Sequence, residues 1–235
     1  MQQAGISVIV PVHNEPVEIL ARLHQFAEID SISEVIVSDS SDLQATVNEL
    51  RKIQSRYANY HLVRCNKPGR AEQMNQGARH AKCEILWFVH ADTEVPGNAS
   101  ELIRNCVAAG YRWGRFDVGF DSDALWMKTV AWTMNIRSSL SKICTGDQAI
   151  YVTSELFNSV EGFPKIVIME DVALSKILKD RSAMYRVKAK VITSARRWES
   201  HGYMRTILVM WTMRFLYWVG VPVNNLAKFY RQAHQ

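Results

Sequence analysis

The chain has 235 residues, of which 48% are hydrophobic and 22% are charged, and no stretch is of low complexity. A chain of this length and composition can bury a substantial core, which excludes an intrinsically disordered protein. Lys and Arg number 28 against 23 Asp and Glu, so the formal net charge is +5. This balance suits an anionic ligand or an anionic membrane face, but it is too small to indicate nucleic acid.

Cysteine spacing and the N-terminal sequence predict the compartment. The four cysteines are widely spaced and form no CxxC pair, so we expect reduced thiols rather than a disulfide framework. The apolar run Ile6–Val12 has the length of a strand and no basic segment before it, unlike a secretory signal. We therefore expect a cytoplasmic protein, either free or peripheral at the inner face of the membrane.

Strand-like and helical segments alternate through the first half of the chain. The strand-like runs are short, apolar and mostly unalternating, as in strands buried on both faces of a parallel sheet. They are Ile6–Val12, Glu34–Ser38, His61–Arg64 and Glu84–Val89, and helical stretches lie near Glu15–Ala27, Asp42–Ser55 and Gly69–Ala81. The pattern predicts an α/β fold with an open, Rossmann-like, mostly parallel sheet flanked by helices. Ligands bind beyond the carboxyl ends of such strands.

The second half is less regular. We predict a strand at Arg115–Phe120, helices at Leu125–Ile136 and Asp171–Lys179, and a short hairpin or pair of strands at Tyr185–Thr193. No linker divides the chain, so we expect a single domain over residues 1–198 and a helical appendage over residues 199–235.

The appendage contains the strongly apolar segment Ile207–Val223, which is interrupted by Arg214. About 20 apolar residues are needed to span a bilayer, so we do not expect a transmembrane helix. Trp211, Phe215 and Trp218 recur at the spacing of one helical face. We predict an amphipathic helix that packs on the core, on a sister subunit in a homodimer, or on a membrane surface.

Two acidic positions are candidates for chemistry. Asp92 follows the strand Glu84–Val89, where a carboxylate can hold Mg²⁺ or Mn²⁺ against a diphosphate; the alternative is a cap on a backbone N–H. Glu170 and Asp171 open a predicted helix, where the dipole favours an ionised general base. The same pair can serve as a plain helix cap, so position alone leaves both interpretations open.

Arginines supply candidate phosphate contacts. Arg70 and the segment Arg196–Trp198, which includes Arg197, could pair with diphosphate oxygens because a guanidinium matches them in a fork geometry. The alternative is a solvated basic surface.

Six motifs in series carry a family resemblance. The chain resembles glycosyltransferase family 2, whose members have the GT-A fold. The matching segments are Ile6–Glu15, Val35–Asp42, Gly69–Ala81, His90–Asp92, Gly162–Pro164 with Glu170-Asp171, and Ser194–Trp198. They resemble, in order, the first strand, the second strand with its base-binding aspartate, the donor-site helix, the DXD motif, the acceptor loop with the ED motif, and a degenerate QxxRW element. A narrower set, Gly69–Asn75, His90–Thr93, Thr145–Asp147 and Ala195–Trp198, resembles a bacterial arsenosugar-biosynthesis or radical-SAM/selenodomain-associated glycosyltransferase subgroup.

The resemblance implies an inverting, metal-dependent transfer of a sugar from a nucleotide-sugar to an acceptor hydroxyl. The implied donor-binding residues are Pro11, His13, Glu15, Asp39, Arg70, Asn75, His90, Asp92, Arg197 and Trp198. Asp39 would read the base, which predicts a UDP-sugar, with a GDP-sugar as the alternative. Asp171 would deprotonate the acceptor, and Glu170 would orient the acceptor or the loop. The nucleotide-binding half would cover about residues 1–95 and the acceptor half about 96–198.

The resemblance also implies a metal site and a class of acceptor. Asp92 would ligate Mn²⁺ or Mg²⁺, and His201 is a candidate further ligand, with an exposed loop histidine as the alternative. His90 stands where the family pattern has an acid, which removes one negative charge from the site. Ser194 replaces the Gln of QxxRW, which argues against a processive synthase. The acceptor would be a small molecule or lipid-linked.

Two other functions fit an α/β nucleotide site. A nucleotidyltransferase would carry a Gly-rich loop after the first strand, where this chain has Val12–Glu15. A non-catalytic nucleotide-sugar-binding protein of the same fold fits the substitution at His90, but the intact pair Glu170 and Asp171 argues against it.

Overall fold

The computed structural model describes residues 4–196, 198 and 202–233 and shows an α/β fold built on a seven-stranded sheet. The strands are β1 Ile6–Val12, β2 Ile32–Asp39, β3 Tyr60–Arg64, β4 Ile85–Phe88, β5 Trp113–Phe120, β6 Tyr151–Thr153 and β7 Met184–Thr193. Their order is β3-β2-β1-β4-β6-β5-β7. β6 runs antiparallel to β4 and β5, and the other pairs are parallel. The predicted mostly parallel sheet is confirmed.

Helices pack on both faces of this sheet. They are α1 Val17–Leu20, α2 Gln25–Glu28, α3 Gln44–Arg56, α4 Arg70–His80, α5 Ala99–Ala108, α6 Leu125–Ser141, α7 Ser154–Ser159, α8 Glu170–Lys179, α9 Tyr203–Trp218 and α10 Val223–Ala233. One core cluster lies on each face, which is why β1 and β4 are apolar without alternation. The parallel strands β1, β2 and β4 end at the same edge, where Val12 pairs with Asp39.

The interpretation of Tyr185–Thr193 as a hairpin or pair of strands is wrong. β7 is one strand of ten residues that runs parallel to β5. Its register shifts opposite Phe116 and Asp117, because Phe116 pairs with Val187 and Asp117 pairs with Lys190. This irregularity interrupts the in–out alternation of β7, which produces the pattern of two shorter strands.

Three elements were absent from the sequence-based expectation, namely α5, α7 and β6. β6 has three residues, too few to show a period, and it is recognised as a strand through its pairing with β4 and β5. The helix predicted over Leu125–Ile136 continues to Ser141 and ends where Lys142 adopts a left-handed conformation, φ 59°.

The predicted helix Ile207–Val223 corresponds to α9, which begins earlier and ends earlier than predicted, and a second helix, α10, follows it. α9 ends at Trp218, and α10 begins at Val223 after a turn that contains Gly220 with φ 85° and Pro222. Proline removes a backbone donor and glycine permits positive φ, so a continuous helix is excluded there. Among the described residues, no helix is both long and apolar enough to cross a membrane. The division into two halves and an appendage stays a prediction.

A buried ion pair ties β5 to α6 and β7. Arg115 is fully buried, and its Nη1 donates to Asp117 Oδ1. Its Nη2 donates to the Asn135 carbonyl oxygen and to Ser139 Oγ, both at 2.8 Å. Arg186 donates to both carboxylate oxygens of Asp117, at 2.8 and 2.7 Å. The Asp117 carboxylate therefore neutralises a guanidinium that has no access to water.

We expect Asp117→Ala to lower the free energy of unfolding by about 3–5 kcal/mol, because it leaves the charge of Arg115 buried and uncompensated. Glu155→Ala is the control, since Glu155 pairs with Arg112 at 3.0 Å on the surface and should change stability by about 0–1 kcal/mol. Urea unfolding monitored by circular dichroism measures both variants. Equal stabilities would contradict the structural role given to Asp117.

Candidate active site

A cavity of about 330 Å³ lies beyond the carboxyl ends of β1 and β4. We call it the first cavity. The predicted residues that line it are Pro11, His13, Glu15, Arg70, His90, Asp92 and Trp198. Its wall also includes Arg196, a predicted candidate phosphate contact. Gln73, Phe120 and Asp147 line it too, and no role was predicted for them. Most of the residues predicted to bind the donor therefore lie together at this edge of the sheet.

Asp39 does not line this cavity. It is fully buried, its Oδ1 accepts from the Ser41 N–H at 2.8 Å, and its Oδ2 accepts from Arg64 Nη1. The side chain of Arg64 is about half exposed and covers the carboxylate.

Asn75 also lies outside the first cavity and has a positioning contact. Its side-chain amide donates to the Phe163 carbonyl oxygen at 2.8 Å and accepts from the Phe163 N–H at 2.9 Å. Gly162 has φ 75°, and a Cβ there would lie 2.6 Å from Asn75 Oδ1. Asn75 thus attaches the loop before α8 to α4.

Gln73 joins the ends of the first two strands. Its Nε2 donates to the Val12 carbonyl oxygen at 2.7 Å and to the Ser38 carbonyl oxygen at 2.9 Å. These carbonyls lie at the carboxyl ends of β1 and β2, so Gln73, which lines the first cavity, is fixed against both strand ends.

Asp92 lies in the turn after β4. Its carbonyl oxygen accepts from Arg22 Nη1 at 2.7 Å, which fixes the turn, and Asp92 itself lines the first cavity. Within the described part of the chain, no group of three or more His, Cys, Asp or Glu side chains could hold a metal. Mg²⁺ is commonly bound through one or two carboxylates together with substrate phosphates and water, and Asp92 fits that arrangement. Arg197 and His201 lie outside the described residues.

A turn at Thr145–Gln148 links His90 to α8. The His90 Nδ1 lies 3.4 Å from an Asp147 carboxylate oxygen. A Cβ on Gly146 would lie 2.5 Å from the His90 ring, so this position requires glycine. The Gly146 N–H donates to Asp171 Oδ2 at 2.7 Å. The turn therefore sets the spacing between His90 and Asp171.

Glu170 and Asp171 are the first two residues of α8. Asp171 lines a second cavity of about 290 Å³, and its Oδ1 also accepts from the Val172 N–H at 2.7 Å. Glu170 is buried, and burial followed by the charge of Asp171 raises the pKa of its carboxyl group. The two acids therefore differ in environment, with Asp171 held by backbone N–H donors.

The second cavity adjoins the first. Arg70, His90 and Asp147 line both. Burial lowers the pKa of Arg70, but the negative charges of Glu170, Asp147 and Asp171 outweigh it and raise the pKa overall. The far wall of the second cavity comes from α9 and α10 through Met210, Met213, Arg214, Ala227 and Tyr230. None of these five residues was predicted to belong to the site.

Comparison with known proteins identifies the family. The model of Glycosyl transferase family 2 matches residues 7–159. The chain therefore belongs to glycosyltransferase family 2 and is an enzyme of that family, with a GT-A fold. No curated protein sequence matches the chain.

Solved structures resemble the fold at low sequence identity. The mannosyltransferase PcManGT from Pyrobaculum calidifontis, in complex with GDP-Man and Mn²⁺, is 18% identical with a TM-score of 0.65, over 87% of this chain and 63% of that chain. Residues 1–349 of S. aureus TarS are 16% identical with a TM-score of 0.61, over 87% and 64%. The same TarS segment in complex with UDP is 18% identical with a TM-score of 0.65 at the same coverage. The chain thus spans less than two thirds of these structures.

Proposed function

We propose that the protein transfers a sugar from a nucleoside-diphosphate sugar, a UDP-sugar, to an acceptor hydroxyl with inversion at the anomeric carbon. The observation that supports this is the meeting of two cavities at Arg70, His90 and Asp147, with Asp92 on one side and Asp171 on the other. The first cavity would hold the donor and the second the acceptor.

The donor half of the proposal assigns roles at the sheet edge. Pro11, His13 and Glu15 would surround the nucleoside, and Arg70 would bind the diphosphate, as would Arg197 by sequence resemblance. Asp92 would hold Mn²⁺ or Mg²⁺, which would neutralise charge on the leaving diphosphate. His201 stays a candidate further ligand. PcManGT with GDP-Man and Mn²⁺ and TarS with UDP support a metal and leave a GDP-sugar as the alternative donor.

The chemical step follows from the position of Asp171. The acceptor hydroxyl gives its proton to the carboxylate of Asp171 while its oxygen attacks the anomeric carbon. The bond from that carbon to the diphosphate oxygen breaks on the opposite face, and the nucleoside diphosphate leaves with the electron pair. The backbone N–H groups of Gly146 and Val172 donate to the carboxylate of Asp171 and hold it in place. Glu170 would orient the acceptor.

A scan of nucleotide sugars tests the activity. With Mn²⁺ present, we expect free nucleoside diphosphate to be released from a UDP-sugar. Release of pyrophosphate from a nucleoside triphosphate and a sugar phosphate would instead indicate a nucleotidyltransferase. Tight nucleotide-sugar binding without turnover would indicate the non-catalytic alternative. The resemblance to the bacterial subgroup supports no particular sugar, so the scan should include several.

We expect Asp171→Asn to reduce UDP release by about 10²–10⁴-fold, because the amide cannot accept the proton. The amide oxygen can still accept from the Gly146 N–H, so folding and UDP affinity should match wild type. Asp180→Asn, in an exposed position at the other end of α8, is the control and should keep full activity. Normal turnover with a lowered melting temperature would show that Asp171 is a helix cap.

We expect Asp39→Ala to weaken UDP binding about tenfold or more, because it removes the carboxylate that would accept a hydrogen bond from the imide N–H of uracil. Arg64→Ala is the matched variant, since it uncovers Asp39 and should leave UDP affinity unchanged or raise it. Calorimetry with UDP measures both. If Asp39→Ala binds UDP as tightly as wild type, Asp39 does not read the base.

The outward face of α9 supports a membrane contact at the inner face of the membrane. Trp211, Phe215 and Trp218, the predicted aromatic row, are 72%, 59% and 81% exposed, and Arg205 is exposed in the first turn of the same helix. No Asp or Glu follows Glu199 in the chain. Aromatic side chains with flanking cations and no acids suit an anionic lipid surface better than a second copy of the same basic face.

We expect the wild-type protein to float with vesicles of phosphatidylglycerol and phosphatidylcholine, and salt to weaken this binding. The double change Trp211→Ala with Trp218→Ala should abolish it, because both side chains would lose contact with the interface. Trp132→Ala on α6, where Trp132 is 63% exposed, is the control. A dimer in solution that ignores vesicles would contradict the membrane assignment.

A further inference from the structure

The second cavity has an apolar wall interrupted by one cation. Ile168, Met210, Met213 and Ala227 supply apolar lining, and Arg214 of α9 lies among them. Asp171 lines the same cavity. An arginine in such a wall is expensive to bury unless it has an anionic partner.

Two arginines near this cavity have buried nitrogens without partners. Nε of Arg214 has no hydrogen-bond partner within the described part of the chain, and neither do Nε and Nη2 of Arg137 on α6. Nη1 of Arg137 donates to the Ile143 carbonyl oxygen at 3.3 Å. Leaving a buried donor unpaired costs about 1–3 kcal/mol per group, so fold stability does not account for these side chains.

The positive charges of the two guanidinium groups also act on each other. Burial, and then the positive charge of Arg214, lower the pKa of Arg137 to about 10. Burial lowers the pKa of Arg214 as well, and the negative charges of Asp171 and Asp147 oppose that effect. Two neighbouring buried cations repel one another, and a bound anion relieves the repulsion.

We propose that the acceptor carries an anionic oxygen group, a phosphate or a carboxylate, which Arg214 binds in the second cavity with Arg137 as a second positive charge. Guanidinium groups bind such oxygens with charge-assisted, often bidentate hydrogen bonds. The anion would fix the acceptor so that a neighbouring hydroxyl meets Asp171. The apolar wall would hold the rest of the acceptor. The identification of the bound anion as the acceptor rests on the proposed function. The anion site itself does not, since binding to it can be measured without a donor.

Binding of small probes tests the subsite. The probes are glycerol 3-phosphate, glycerate and glycerol, measured by ligand-observed NMR with UDP and without it. We expect wild type to bind one or both anionic probes at least about tenfold more tightly than glycerol. The stronger of the two distinguishes a phosphate from a carboxylate. Equal binding of all three, or none, would overturn the proposal.

Arg214→Met should remove the preference for the anionic probes, and Arg214→Lys should restore part of it. Because Met removes a guanidinium whose buried Nε has no partner within the described part of the chain, the melting temperature should stay the same or rise. Arg205→Met, on the exposed side of α9, is the control and should change neither property. A lowered melting temperature with the preference intact would assign Arg214 a structural role and overturn the proposal.

The two proposals fail separately. If UDP does not bind or Asp171→Asn stays active, the transfer mechanism is wrong, whereas an anion preference that depends on Arg214 still stands. If the transfer mechanism holds and Arg214→Met transfers sugar to neutral and anionic acceptors as wild type does, the subsite is wrong.

Discussion

The hydrogen bond from the Gly146 N–H to Asp171 holds the two halves of the site at a fixed distance. The turn that carries Gly146 lies against the His90 ring so closely that a Cβ would collide with it. His90 follows β4, and Asp171 is the second residue of α8, so this turn connects the parallel sheet edge with the later half of the chain. A donor at one edge and a base at the other can act on one atom only if that spacing is constant.

The two cavities differ in the charges that line them. Arg70 lies between them and faces Glu170, Asp147 and Asp171. A diphosphate entering the first cavity would bring negative charge toward Arg70 and Asp92, which is why a divalent metal suits that side. His90 in place of an acid lowers the negative charge around such a metal. The second cavity combines the carboxylate of Asp171 with the positive charge of Arg214, as expected for a ligand that has both a reacting hydroxyl and an anion.

Much of the fold could be predicted because burial on both faces leaves a clear pattern. β1 has the predicted bounds, and α4 lies within the predicted stretch, since apolar runs and a narrow stripe report burial directly. β7 could not be predicted because its register shift depends on its pairing with β5. The prediction of a hairpin was wrong because the local sequence pattern carries no information about this long-range strand pairing.

The site shows the same division. Strand-end residues such as Asp92 were predictable because parallel strands end at one edge. Two interactions could not be predicted, because each joins side chains distant in sequence. They are the hydrogen bond from Arg64 to Asp39 and the electrostatic interaction between Arg137 and Arg214. Arg214 interrupts an apolar segment. That interruption is the one feature of the sequence that indicates a charged side chain in the wall of a cavity.

A crystal structure with UDP and Mn²⁺ bound tests whether the first cavity is the donor site. We expect Mn²⁺ to lie between the Asp92 carboxylate and the diphosphate, with Arg70 bound to the phosphate oxygens. The open side of the β-phosphate should face Asp171 across the junction of the two cavities. A diphosphate bound away from Asp92 and Arg70, or Mn²⁺ bound by Glu170 and Asp171 instead, would contradict it.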